Sequence, residues 1–125
     1  MKSSDRGLAH VLSATRYSLQ GLRCAWRYEE AFRLETIVVA VGLPLALFLA
    51  RDTVEFLLLA MPLLLLILAE LGNSAIEALV DRMGDGYNEL SGRAKDFGSA
   101  MVFMAILMVN LSWGSILLRL FLFPG

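Results

Sequence analysis

The sequence predicts an all-α membrane protein: an N-terminal amphipathic helix on the membrane surface, then three transmembrane helices. Three observations carry that expectation. The 125 residues are 58% hydrophobic with a mean hydropathy of +0.66. A soluble domain of this size could not hide so much apolar surface, because small domains bury the smallest share of their chain. Uncharged apolar runs occupy residues 36–50, 56–69 and 97–118. The basic residues, finally, are sorted to one side of the membrane that these runs imply.

The length allows a single domain. It divides into a tail and interfacial helix over residues 1–28 and a three-span region over residues 29–125, with spans at about 30–51, 53–83 and 91–121. From about Leu8 to Trp26, the residues Leu8, Leu12, Thr15, Leu19, Leu22 and Trp26 recur at helical spacing on one face. Arg16, Gln20, Arg23 and Arg27 lie around the rest. That pattern is too polar to span and suits a helix lying in the interface plane. The first span needs Ala31 and Phe32 to reach the length of roughly 20 residues that a bilayer requires. It contains Pro44, and the second contains Pro62; membrane helices tolerate such prolines. The second helix continues past its apolar run to Met83, where Gly84-Asp85-Gly86 breaks the pattern. The third run, Phe97 to Leu118, spans easily, and Trp113, Phe121 and Phe123 suit the far interface.

Three spans put the chain ends on opposite sides. Lys2, Arg6, Arg16, Arg23, Arg27, Arg33, Arg82, Arg93 and Lys95 fall on one side, against Arg51 and Arg119 on the other. The positive-inside rule then places the N-terminus and the second loop in the cytoplasm. No cleavable signal peptide is expected, because the first long apolar run begins only after Glu35. Cys24 is the single cysteine and His10 the single histidine, which excludes an internal disulfide, a cysteine metal cluster and a histidine zinc site built from this chain alone. The formal net charge is -1, and no nucleic-acid partner is expected.

The chemistry is expected on the second helix. Glu70, Asn73, Glu77 and Asp81 are spaced i, i+3, i+7 and i+11, along one face. Glu70 lies about 18 Å along the axis from Arg82, at ~1.5 Å per residue, well below the headgroups. A charge in the bilayer costs at least ~2.5 kcal/mol, and such residues usually mark a function. The plain alternative is a polar face that joins helices, and Asn73 and Ser74 could do only that. Glu29, Glu30, Arg33 and Glu35 gather at the start of the first span. Glu29 and Arg33 are spaced for a plain i, i+4 ion pair, or one of the acids Glu29, Glu30 and Glu35 joins Glu77 to hold a divalent ion; spacing alone leaves both open. In the second loop, Ser91 can cap the third helix, which puts Lys95 in its first turn. A cation is disfavoured there by the helix dipole unless an anion such as phosphate is bound. Asp96 could accept from a sugar hydroxyl. No P-loop and no protein-kinase signature is present. An anion site, acids suited to a metal and a deep carboxylate together point to phosphoryl transfer onto a hydroxyl held in the bilayer, that is, a lipid.

The run Glu70-Leu-Gly-Asn-Ser-Ala-Ile-Glu-Ala-Leu-Val-Asp81, followed by Glu89-Leu-Ser-Gly-Arg-Ala-Lys-Asp96, resembles the signature of the bacterial integral-membrane diacylglycerol kinases. Gly21-Leu-Arg-Cys-Ala-Trp26 and Glu29-Glu-Ala-Phe-Arg-Leu-Glu35 are also similar to that family, and the resemblance runs from about Gly7 to Trp113. It implies a homotrimer in the bacterial inner membrane that transfers the ATP γ-phosphate to diacylglycerol and makes phosphatidic acid. It implies Glu70 as the base with Asn73 orienting it, and Mg²⁺ held by Glu29 and Glu77. It implies Lys95 on phosphate, Asp96, Gly86, Tyr87 and Asn88 on the nucleotide, and Tyr17 lining that site from the surface helix. Arg23, Trp26, Ala31, Phe32, Arg33, Leu34, Glu35, Ser99 and Trp113 would border the lipid with Glu70. His10 departs from the pattern, standing where well-known members have an arginine that reaches the phosphates. Histidine is only partly charged near pH 7, so the resemblance implies weaker ATP binding through His10 or a substitute such as Arg16.

Some members phosphorylate undecaprenol instead, although the Glu29-Glu-Ala-Phe-Arg and Glu-Leu-Ser-Gly-Arg segments resemble the diacylglycerol branch. Outside enzymology, an ion-translocating ring would favour a single mid-membrane acid and G-x-x-x-G contacts; here several acids cluster and no two glycines are four apart. A non-enzymatic helix-packing subunit would not need Lys95-Asp96 near a helix start.

Overall fold

The computed structural model describes residues 3–84, Gly86 and residues 88–124. The described chain is helical with short connections: α1 (Ser3–Tyr28), α2 (Glu30–Leu49), α3 (Thr53–Arg82) and α4 (Glu89–Leu122). Three of them, α2, α3 and α4, are long and apolar enough to cross a membrane. At ~1.5 Å per residue, α3 is about 45 Å long and α4 about 51 Å, so both outrun a hydrocarbon core of ~30 Å. The excess carries their polar ends into the interface.

α3 is the central element and packs on both α2 and α4, whereas α1 packs chiefly on α2. One core cluster, Ala46, Leu59 and Ile116, joins α2, α3 and α4 and gathers Phe56, Trp113 and Leu120 around it. A second, Leu66, Ala69 and Ala105, seals α3 to α4. Gly42 lets α2 approach α3 closely, since a Cβ there would meet Leu63 Cδ1 at 2.7 Å. Much of the remaining apolar surface faces outward, including Phe48, Phe103 and Phe121.

Each helix boundary has a local cause. α1 and α2 are separated by Glu29, whose extended backbone (φ -114°, ψ 108°) breaks the run. Arg33 then bridges back: its Nη1 donates to the carbonyls of Trp26 (2.9 Å) and Arg27 (3.2 Å), so a cation closes the C-terminal turn of α1. Asp52 caps α3 by accepting from the Glu55 amide at 2.8 Å. Glu55, itself buried, accepts from the Arg51 amide (3.0 Å) and pairs with the Arg51 guanidinium (3.2 Å). α3 stops where Gly84 turns left-handed at φ +114°, a conformation that favours glycine. The cap of α4 differs from the sequence expectation. Asn88 accepts from the amides of Leu90 (2.9 Å) and Ser91 (3.2 Å), so the helix begins before Ser91. Lys95 therefore sits in the second turn of α4, not the first.

Pro62 lies within α3 and cannot donate to the carbonyl of Leu58 one turn earlier. In a bilayer that acceptor has no water to turn to. The Ser112 hydroxyl of α4 donates to the Leu58 carbonyl. Beside it, the Trp113 Nε1 donates to the Leu59 carbonyl at 2.9 Å. The proline thus creates an acceptor on α3 that α4 fills, tying the two helices at this level.

Ser112→Ala should lower the unfolding free energy in mixed micelles by about 0.5–1.5 kcal/mol, the range for interhelical hydrogen bonds in membranes. In a Pro62→Ala background the restored amide serves Leu58 itself, and the same substitution should cost much less. Equal costs in both backgrounds would show that the proline is not the reason for the bond.

Candidate active site

The acids of α3 meet the start of α2 within the bundle. Glu70 is 5% exposed despite being a carboxylate. Helix α2 brings Glu35 against it, carboxyl beside carboxyl. Glu29 and Glu77 lie within electrostatic reach of Glu70. Helical spacing on α3 and the Glu29 break before α2 therefore bring four acids into one region. Asn73 departs from its expected role here. Its Nδ2 donates to Glu77 Oε1 at 3.1 Å, so the side chain it fixes is Glu77 and not Glu70.

Among the described residues, the buried side-chain oxygens with no hydrogen-bond partner are Glu35 Oε2, Thr36 Oγ1 and Asn73 Oδ1. Glu35 stands against Glu70, Thr36 follows it on α2, and Asn73 lies one turn along α3. Buried polar atoms are normally satisfied, and leaving one unpaired costs about 1–3 kcal/mol. Glu35 Oε2 belongs to the carboxyl set against Glu70, whereas Asn73 Oδ1 faces Gly98 at the α3–α4 contact.

The second polar region is a cleft of about 670 Å³ between the end of α3 and the start of α4. Asp81, Gly84, Gly86, Asn88, Ser91 and Lys95 line it. Lys95 Nζ pairs with Asp81 Oδ1 at 2.8 Å across the cleft, and Glu77 is within electrostatic reach of Lys95. The cleft and the acidic site are thus joined through Glu77 and Lys95. Asp96 and Ser99 are exposed on α4. Tyr87 lies outside the described residues.

The remaining expected residues stand on α1 and the start of α2. His10, Tyr17, Arg23 and Trp26 are exposed on α1, with the Arg16 guanidinium 5.4 Å from the Tyr17 ring centroid. Because α1 packs chiefly on α2, one copy of the chain does not press them onto the loop cleft. Ala31 and Leu34 face outward, Phe32 is buried, and Arg33 is engaged with the end of α1. Trp113 sits half-buried at the Pro62 level, held by its bond to Leu59. Thr36 was not singled out in the sequence; its signal would have been a hydroxyl next to Glu35 at the mouth of an apolar run. Gly98 was also missed. A Cβ there would collide with Asn73 Oδ1, so only glycine lets α4 come this close to the acidic face of α3.

Residues 16–117 match the family model described as prokaryotic diacylglycerol kinase. The chain is 48% identical over 111 residues to a diacylglycerol kinase of Haemophilus influenzae, covering 89% of this chain and 94% of that protein. It is 43% identical over 113 residues to a diacylglycerol kinase of Escherichia coli K12, covering 90% and 93%. A diacylglycerol kinase of Pseudomonas aeruginosa is 43% identical over 112 residues, covering 90% and 91%.

Gly98→Ala should destabilise the α3–α4 pair by about 1–3 kcal/mol, as overpacking does. Adding Asn73→Ala should recover much of that loss. Thermal unfolding of the two variants in detergent measures this; strictly additive losses would mean the clash lies elsewhere.

Proposed function

The chain belongs to the prokaryotic diacylglycerol kinase family, and on that premise we infer that it transfers the γ-phosphate of ATP to the hydroxyl of diacylglycerol, giving phosphatidic acid. One observation about this chain supports the reading: the buried carboxyl of Glu70 stands against Glu35, and buried oxygens of Glu35 and the neighbouring Thr36 have no partner in the chain.

Glu70 is the proposed base. The lipid hydroxyl donates to its carboxylate, the oxygen attacks the γ-phosphorus, and the proton passes to Glu70. The bond from that phosphorus to the bridging oxygen of ADP breaks in the same displacement. Residues 31–35, with Ser99, are proposed to border the lipid, and Glu35 is the one in contact with the base. Lys95 is proposed to neutralise phosphate. Gly86, Asn88 and Asp96 are proposed on the nucleotide; the lining of the loop cleft by Gly86, Asn88 and Lys95 supports this.

Glu29 and Glu77 fit Mg²⁺ as a donor set of hard carboxylate oxygens. Glu29 uses no side-chain oxygen in capping α2, and the bond from Asn73 occupies one oxygen of Glu77. Mg²⁺ commonly takes one or two carboxylates and completes its shell with water and phosphate. Bound Mg²⁺ would supply charge neutralisation on the phosphates.

The proposed location is the bacterial inner membrane, with the N-terminus and second loop cytoplasmic; the gathering of nine basic side chains at that side supports it. A homotrimer is also proposed. The outward-facing surface of α1, carrying His10 and Tyr17, supports an assembly in which a neighbouring copy completes the nucleotide site. Undecaprenol remains the rival acceptor, and the diacylglycerol kinase names of the relatives favour diacylglycerol.

Purified protein in bicelles, given labelled MgATP with diacylglycerol or undecaprenol, should label diacylglycerol preferentially. Transfer to neither lipid would refute the kinase reading, and preference for undecaprenol would change the acceptor. Glu70→Gln should lower kcat by about 100-fold or more while the protein remains folded; a near-normal rate would remove Glu70 as the base. Glu77→Gln should raise the Mg²⁺ concentration for half-maximal activity by about tenfold or more, and an unchanged Mg²⁺ dependence would take Glu77 out of the metal site.

A further inference from the structure

We propose that Asp81 is a positioning residue that competes with nucleotide phosphate for the Lys95 ammonium and so keeps the donor site from holding ADP too tightly. The proposal rests on the reading of Lys95 as a phosphate ligand. The Arg51–Glu55 and Arg93–Glu89 pairs each join residues one turn apart. Lys95 and Asp81 instead reach across from α4 to α3, meet at 2.8 Å, and both line the loop cleft. A phosphate on Lys95 must therefore displace a carboxylate already within hydrogen-bonding distance.

The strength of the pair decides what this does. The Lys95 and Asp81 side chains are 46% and 66% exposed. Such a pair is screened by water and salt, and its loss is worth at most about fivefold in affinity. A triphosphate with several charges outcompetes it; product leaves more readily because Asp81 takes the ammonium back. A buried, dry pair would instead hold Lys95 away from phosphate altogether. Asp81 reaches Lys95 from the last turns of α3, just before Gly84 ends the helix. Its backbone carbonyl accepts from the Gly84 amide, while its carboxylate is directed to the cleft.

The test is MgADP binding to the full-length protein in bicelles, by calorimetry at low ionic strength. Asp81→Asn should tighten binding two- to fivefold, and Asp81→Glu, which keeps a carboxylate within reach, should stay close to the unsubstituted protein. Glu89→Gln removes a negative charge near the same cleft, but its partner is Arg93, so binding should not change. Unchanged or weaker binding in Asp81→Asn would overturn the proposal, as would equal tightening in Glu89→Gln, which would indicate a general field and not competition for one cation. Lys95→Met distinguishes this failure from that of the underlying reading: it should weaken MgADP binding, and if it does not, Lys95 is no phosphate ligand and the competition falls with it.

Discussion

Inside a bilayer a polar atom has no water to bond with, and the architecture of this chain depends on that constraint. Its simplest expression is that the membrane-crossing elements are helices, which satisfy their own amides and carbonyls. Its more particular expression is at Pro62. The proline leaves the Leu58 carbonyl without its usual donor, and Ser112 of α4 supplies one, beside Trp113 on Leu59. A local defect in α3 thereby becomes a tie between helices, close to the core cluster that Leu59 forms with Ala46 and Ile116.

The same constraint gives the functional region its meaning. Buried oxygens of Glu35, Thr36 and Asn73 have no partner in the chain, and the Glu35 carboxyl stands beside Glu70. In a membrane interior, where donors are scarce, such a group is costly unless a substrate fills it. The oxygens lie at the junction of an apolar bundle with a polar cleft, which matches a reaction whose acceptor is a lipid and whose donor is a nucleotide. The acids divide accordingly. Glu70 faces inward with Glu35, Glu77 is tied to Asn73, and Asp81 is paired with Lys95 at the cleft. Under the proposed roles this division has a chemical order, from Glu70 as base to Lys95 on phosphate.

Several features were legible in the sequence because they depend on composition and short-range spacing. Uncharged runs announce spans, since hydrophobic length must match bilayer thickness. The i, i+3, i+7, i+11 pattern announces one acidic helix face, since helical geometry sets which side chains share a side. The family was readable from Glu70–Asp81 and Glu89–Asp96 taken together. The start of α4 was less legible: Asn88 and Ser91 are both good capping residues, and only the backbone path shows which one turns its side chain onto free amides.

By itself, then, the sequence determined an all-helical membrane protein, the helix face that its acids share, and its kinship. Tertiary structure alone decided the partners. Lys95 meets Asp81 across two helices, Ser112 of α4 donates to Leu58 of α3, Arg33 closes the turn of α1, and Gly98 admits Asn73. The physical reason is range. Periodicity acts within one helix over a few residues, whereas a hydrogen bond between helices depends on their separation and rotation, and those are settled by packing along the whole interface.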